Sequence, residues 1–195
     1  MIPKLIKLGV KTLLKIICEK IIIRSILISN KNDKFNRILD ELHIKAESII
    51  FNKISISNIN IKIRDVDLKS AFKNKKFFIE NCYAEINMRL TRNNINKTLF
   101  NNKWKMLKTS IESFIGMNFK SIEINNKSIY FIPVDGFSNK NVNYSLQYDK
   151  NSISLVNNIN KEKLSILNDK NISIKYLFFY ENYIELEIDS KIIFN

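Results

Sequence analysis

Apolar and polar residues alternate with a period of two along most of the chain, a pattern that predicts antiparallel strands with one apolar face. The clearest runs cover residues 54–68 and 82–90. After residue 117, shorter alternating groups are separated by turns rich in Asn, Lys and Asp: Ile122/Ile124, Ile129/Phe131, Val142/Tyr144/Leu146/Tyr148, Ile153/Leu155, Ile172/Ile174 and Ile184/Leu186/Ile188. Strands that are apolar on one face and polar on the other indicate a sheet that is wet on one side.

Two internal stretches have the helical period instead. Thr91 predicts an N-cap, and after a break at residues 101 and 102 one apolar stripe continues to a helix end near Gly116. The members of this stripe are Ile95, Leu99, Trp104, Leu107, Ile111, Phe114 and Ile115. A second, shorter helix is predicted over 35–42, where Phe35, Ile38, Leu39 and Leu42 have the i, i+3, i+4, i+7 spacing.

Residues 1–28 form the first distinct segment. Lysines recur at spacings of three, four and four, which places Lys4, Lys7, Lys11 and Lys15 on one helical face. The other side carries Ile2, Leu5, Ile6, Val10, Leu13, Ile16 and Ile17. Because lysines interrupt the apolar run at every turn, the segment has no clear cleaved signal peptide and does not resemble a spanning helix. Two alternatives remain, an amphipathic helix at a membrane interface and a surface helix packed on the protein's own core.

These elements predict an α+β protein in two parts. Residues 1–28 are expected to be an amphipathic, membrane-associating helix, and residues 29–195 a single domain in which an antiparallel sheet accompanies the helix of 91–115. No linker separates two halves within 29–195.

The net charge of +13 suggests an anionic partner. The composition weakens this suggestion, since the chain has 36 Ile, 28 Asn and 27 Lys, three residue types that A/T-rich codons encode. Only 5 residues are Arg, the side chain best suited to bidentate phosphate contacts, and no helix-turn-helix or RNP-like motif is present, so nucleic acid is not the expected partner. The regularly spaced lysines at the N-terminus are the only patterned charge.

The residue inventory offers no catalytic candidate. Three glycines cannot build a phosphate-binding loop, and the single His43 with the distant Cys18 and Cys82 cannot form an ordinary zinc site or a nucleophile–base pair. Neighbouring carboxylates such as Asp65 and Asp67 are expected to be solvated strand residues. The sequence therefore predicts no enzyme, no cofactor and no metal.

One region carries motifs of a known family. Ala46 precedes the aromatic Phe51, Asn74-Lys75-Lys76 precedes an apolar run at 77–79, and Leu90-Thr91 leads to Ile95-Asn96 and Leu99. The pattern covers about a third of the chain and is similar to cyanobacterial members of the LmeA-like family of bacterial phospholipid-binding proteins. This sequence departs from the family pattern at Asn94, where the family has an acidic residue, and at Asn52 and Asn74, where it has glycines.

The resemblance implies a long curved antiparallel sheet wrapped around a helix, as in tubular lipid-binding domains, with phospholipid as the ligand. The groove candidates are then the apolar stripe: Ile95, Leu99, Trp104, Leu107, Ile111, Phe114 and Ile115. We expect a peripheral membrane protein that holds acyl chains in this groove and docks on anionic membranes through Lys4, Lys7, Lys11 and Lys15, in lipid transport or membrane maintenance. The alternative is a peripheral scaffold or interaction protein in which the stripe is filled core.

Overall fold

A computed structural model describes residues 2–29, 38–67, 82–125, 128–134 and 144–192. The described residues form an α+β fold of three helices and eleven strands, and the first element is a helix. The helices are α1 (Ile2–Ile17), α2 (Arg92–Leu99) and α3 (Lys105–Ile115), with a 3₁₀ turn at Asn102–Trp104 between α2 and α3. The strands are β1 (Cys18–Ser29), β2 (Ile38–Phe51), β3 (Ile54–Asp67), β4 (Cys82–Thr91), β5 (Phe119–Asn125), β6 (Ser128–Pro133), β7 (Tyr144–Asp149), β8 (Ser152–Asn157), β9 (Lys163–Asn168), β10 (Ile172–Tyr180) and β11 (Tyr183–Ile192).

The strands form two antiparallel sheets. The larger sheet has the order β1-β2-β3-β4-β11-β10, and the smaller has β5-β6-β7-β8-β9. Helices α2 and α3 lie in the connection from β4 to β5, and α2 contacts β3, β4 and β5. The antiparallel α+β prediction is therefore confirmed, and the helix pair stands where the chain passes from one sheet to the other.

The alternating pattern breaks at the same level in β2 and β3. In β3, Ile56 and Ile59 are three residues apart rather than two, and their partners Ile49 and Ala46 have the same spacing in β2. Ser48, between them, has a φ of 50°. Because both strands shift together, the pairing register is unchanged and all four apolar side chains pack in one cluster.

The turn between β2 and β3 contains Asn52, a position at which the LmeA-like pattern has a glycine. Asn52 and Lys53 have φ values of 52° and 65°, the left-handed pair that a two-residue hairpin turn requires. Asn is among the residues that tolerate this conformation best. The departure at Asn52 is therefore compatible with a tight hairpin, whereas Asn74 and the run at 77–79 lie outside the described residues.

The short helix predicted over 35–42 is wrong in its described part, because Ile38 already belongs to β2. Leu39 and Leu42 are both fully buried in a cluster with residues of α1. Since β2 pairs with β3 along its whole length, from Ile38 to Phe51, the helical spacing of these leucines reflects a change of facing within a strand. Phe35, like Leu68 and Val142 of the predicted strands, lies outside the described residues.

Helix α1 is shorter than the predicted 1–28 segment. It ends at Ile17, and the β-branched residues that follow favour a strand, so Cys18–Ser29 forms β1 at the edge of the larger sheet. The boundary expected after residue 28 falls inside this strand. α1 itself packs on the sheet, with Ile6 and Val10 fully buried.

Candidate functional site

An apolar cavity of about 200 Å³ lies among the two sheets and the helix pair. α2 and α3 contribute to its wall, as do β3, β4, β10 and β11 of the larger sheet and all five strands of the smaller one. The cavity is partly open to the surface. Its walls thus come from elements far apart in the sequence.

Thr98 is the one residue with a polar side chain among those lining the cavity. Its hydroxyl donates to the backbone oxygen of Asn94 (2.9 Å) and accepts from the backbone nitrogen of Ser55 (3.0 Å). Because this hydroxyl is already satisfied, the wall offers no free hydrogen-bonding group, and a charged or polar group buried there would lose its hydration without compensation. The chemistry of the cavity suits a hydrocarbon.

A capping box fixes the start of α2 against the cavity. The backbone nitrogen of Asn94 donates to the Thr91 hydroxyl (3.2 Å), and the backbone nitrogen of Thr91 donates to the Asn94 side-chain oxygen (3.0 Å). The Asn94 amide nitrogen also donates to the hydroxyl of Ser55 in β3 (2.8 Å). An amide therefore completes the capping box at a position where the LmeA-like pattern has an acidic residue, and it ties the helix to the larger sheet as well.

Asn96 ties the same helix to the smaller sheet. Its side-chain oxygen accepts from the backbone nitrogen of Ile122 (2.8 Å), and its amide nitrogen donates to the backbone oxygen of the same residue (3.2 Å). The amide thus imitates a neighbouring strand beside β5. Thr91 and Asn96 are structural groups in this fold, and together they hold α2 between the two sheets.

The structure separates the seven predicted groove residues into two groups. Four of them lie on the cavity wall: Ile95, Leu99, Leu107 and Ile111. Among the residues outside the wall, the Trp104 indole nitrogen donates to the backbone oxygen of Asn52 at the β2–β3 turn (3.3 Å). The ring centroid of Phe114 lies 6.0 Å from that of Tyr144. Phe114 and Ile115 both pack against the buried cluster that contains Tyr144. Trp104 lies in the 3₁₀ turn between the two helices. Phe114 and Ile115 lie one turn beyond Ile111, at the end of α3, so the stripe extends past the cavity.

Sequence reasoning missed the strand side of the cavity. Leu146, Leu177 and Ile166 line it from β7, β10 and β9. Leu146 and Leu177 lie in stretches that are recognisably apolar in the sequence. A period of two, however, does not indicate which strands face each other across a cavity. β9 was not predicted, although the alternation of Leu164 and Ile166 is a signal that could have revealed it.

The four predicted docking lysines all lie exposed on α1: Lys4, Lys7, Lys11 and Lys15. On the opposite side of the helix, Ile6 and Val10 belong to a buried cluster with Leu39 and Leu42. We call this the N-terminal cluster; its remaining members are Ile44, Ile63, Val66, Cys82 and Ala84. The helix therefore packs on the protein's own core and presents its lysines to the outside, so the two alternatives for this segment are compatible.

The face of the larger sheet also carries a polar depression of about 390 Å³. Two ion pairs line it: Arg24 binds Glu47, and Arg89 binds Glu185 with an Nη2–Oε1 distance of 2.6 Å. The Arg24 guanidinium lowers the pKa of Glu47 through a hydrogen bond. Charges that neutralise one another in pairs are typical of a solvated sheet face, and each exposed pair adds little stability.

Reactive groups are scarce in the described part of the chain. No group of three or more His, Cys, Asp or Glu side chains there could hold a metal ion. Cys18 and Cys82 are free thiols, and burial raises the pKa of Cys82 to about 11, so this thiol stays protonated at neutral pH. His43 is hydrogen-bonded to the side chain of Asn60 in the neighbouring strand.

Comparisons of the chain with protein-family models, curated proteins and solved structures gave no match. Among the described residues, no helix is both long and apolar enough to cross a membrane. The class of molecule that this site binds must therefore be inferred from the cavity and from the exposed surface of α1.

Proposed function

We propose that this protein is a non-enzymatic phospholipid-binding protein. It holds part of an acyl chain in the cavity between the sheets and docks on anionic membranes through Lys4, Lys7, Lys11 and Lys15. The observation that carries the proposal is a cavity wall without a free polar group.

The cost of leaving the cavity empty supports a ligand. Unfilled space in a closed protein core costs about 24 cal/mol per Å³, so about 5 kcal/mol of lost packing is the upper bound for this partly open cavity of about 200 Å³. That amount is comparable to the whole stability of a small domain, about 5–15 kcal/mol. A hydrocarbon recovers this packing and adds about 0.8 kcal/mol for each methylene group removed from water.

The size of the cavity limits how much of a lipid molecule it can hold. An apolar cavity of about 150 Å³ stays dry and accepts benzene, and the cavity here is larger. It accommodates a segment of an acyl chain, while the rest of the lipid and its polar headgroup lie at the opening. This arrangement needs no buried cation to pair with a phosphate.

The same proposal extends to the shape of the fold. We propose that the larger sheet curves around α2 and α3 as in tubular lipid-binding domains. In support, α2 contacts β3, β4 and β5, and walls from both sheets meet at the helix pair. The LmeA-like resemblance, which rests on short motifs, agrees with this interpretation.

Docking through α1 is electrostatic in this proposal. Each basic residue near an anionic membrane contributes about 1 kcal/mol, so four lysines give a reversible attachment that weakens with salt. Such a protein suits lipid transport or membrane maintenance. The alternative role, a peripheral scaffold with a filled core, is less favoured because Leu107 and Ile111, although they pack in a buried cluster, also border the cavity.

The test is organic extraction and mass spectrometry of the natively purified full-length chain. The full chain is needed because β1 is part of the larger sheet and Ile6 and Val10 are fully buried. Stoichiometric phospholipid is expected, and delipidated protein should rebind a dioleoyl phospholipid but not glycerophosphocholine, which has a headgroup without acyl chains. Folded protein that carries no lipid and binds neither compound would favour the scaffold.

A further inference from the structure

The surface of α1 has three stripes of side chains rather than two. Successive residues of an α-helix are turned by about 100°, so residues that each follow a lysine form a stripe of their own beside the lysines. These residues are Leu5, Leu8, Thr12 and Ile16. The third stripe, on the side facing the sheet, contains Ile6 and Val10.

The apolar members of the stripe beside the lysines are largely exposed. The exposed fractions are 54% for Leu5, 61% for Leu8 and 75% for Ile16, whereas Ile6 and Val10 are 0% and 1% exposed. A surface helix that only covers the core is expected to have polar side chains on its outer side. Three large aliphatic side chains there depart from that pattern. Their position next to a row of cations is the arrangement of helices that lie in a membrane interface.

We propose that Leu5, Leu8 and Ile16 insert into the acyl region of an anionic bilayer while the neighbouring lysines bind its headgroups. This inference rests on the proposed docking through α1 and adds an apolar component to it. The partner is a lipid surface rather than a second copy of this chain, because two copies would bring two lysine rows together in a protein of net charge +13.

Insertion does not require α1 to leave the sheet. Ile6 and Val10 remain buried in the N-terminal cluster, and the chain continues from Ile17 directly into β1, which pairs with β2 from Cys18 to Ser29. The membrane-facing side chains are different residues from the core-facing ones. The folded protein can therefore bind the bilayer with its hydrophobic core unchanged.

The experiment is co-sedimentation of the full-length chain with vesicles of equimolar phosphatidylcholine and phosphatidylglycerol, at low and high salt. Leu8→Ser should lower the partition coefficient about tenfold at both salt concentrations, as expected for removing one aliphatic side chain from the acyl region. Lys7→Gln and Lys11→Gln together should weaken binding mainly at low salt. Met106→Ser is the matched control, because Met106 is an exposed aliphatic side chain (85%) on α3, and it should bind like the parent.

The outcomes separate insertion from docking and from lipid storage. If the parent binds vesicles and Leu8→Ser binds equally well, insertion is wrong while electrostatic docking stands. If the parent does not sediment with anionic vesicles, both fail, and the extraction experiment still decides the cavity. If Leu8→Ser instead dissolves a dimer seen by light scattering, the occupant of the stripe is a second copy and the proposal is overturned.

Discussion

Filling the cavity should stabilise the protein and abolish lipid binding together. Leu107 in α3 and Leu146 in β7 both line the cavity and come from different elements, so Leu107→Phe with Leu146→Phe adds a net three carbon atoms at each position to the open space. If this added volume fills a quarter of the cavity of about 200 Å³, the regained packing is about 1 kcal/mol. For a chain of this length that corresponds to a rise in Tm of about 2–4 °C.

The assay is thermal unfolding of the delipidated double variant, together with uptake of a dioleoyl phospholipid. Most core substitutions that increase volume are destabilising, because packed neighbours must move, so a rise in Tm with a loss of binding is specific to real empty space. Leu14→Phe is the control, because Leu14 packs against the N-terminal cluster and does not line the cavity. This variant should have a Tm equal to or lower than that of the parent, with unchanged lipid uptake. A double variant that is destabilised and still binds lipid would refute the cavity as the site.

Three further predictions concern single groups. Gly116 ends α3 with a φ of 71° and has no neighbour within 4 Å of an added Cβ, so Gly116→Ala should cost only the backbone strain of about 1 kcal/mol, measured as a fall in Tm of about 2–4 °C. Burial raises the pKa of Cys82 to about 11, so Ellman's reagent should label native Cys18→Ser protein slowly at pH 8 and promptly after unfolding in urea. Hydrogen bonds from Lys53 and Arg24 lower the pKa values of Glu19 and Glu47, so their stabilising effect is present above the ordinary carboxyl pKa and is lost as the pH falls through the lowered values. Acid should therefore reduce Tm less in the Glu19→Gln, Glu47→Gln variant than in the parent, and an equal reduction would contradict the pairing.

Local signals in the sequence were sufficient for the elements but not for their assembly. Thr91 and Gly116 predicted both ends of the helix region, and the structure confirms a capping box at one and a left-handed C-cap at the other. The helix predicted from the spacing over 35–42 was wrong, because Leu39 and Leu42 lie in a strand. Where the facing of a strand changes, its apolar residues can also be three positions apart. Such a strand cannot be told from a short helix without its pairing partners.

The cavity was predictable only on its helical side. Ile95, Leu99, Leu107 and Ile111 have the same periodicity whether they border empty space or filled core, and the strand residues opposite them come from both sheets. Whether space remains depends on side-chain volumes summed over elements that are distant in sequence. No local pattern contains that sum, so the difference between a scaffold and a lipid carrier lies in tertiary packing.

The abundance of asparagine shows how a biased composition can still specify this site. Asn52 takes the left-handed turn position, Asn94 caps α2 and bonds to β3, and Asn96 pairs with the backbone of β5. Asn94 and Asn96 use a short amide that both donates and accepts, which isoleucine and lysine lack, and Asn52 uses the tolerance of asparagine for a positive φ. The amides at 94 and 96 hold α2 between the two sheets, and they do so without placing a free polar group in the cavity. Substituting either by leucine should therefore release α2 and close the apolar space even though the wall residues are untouched.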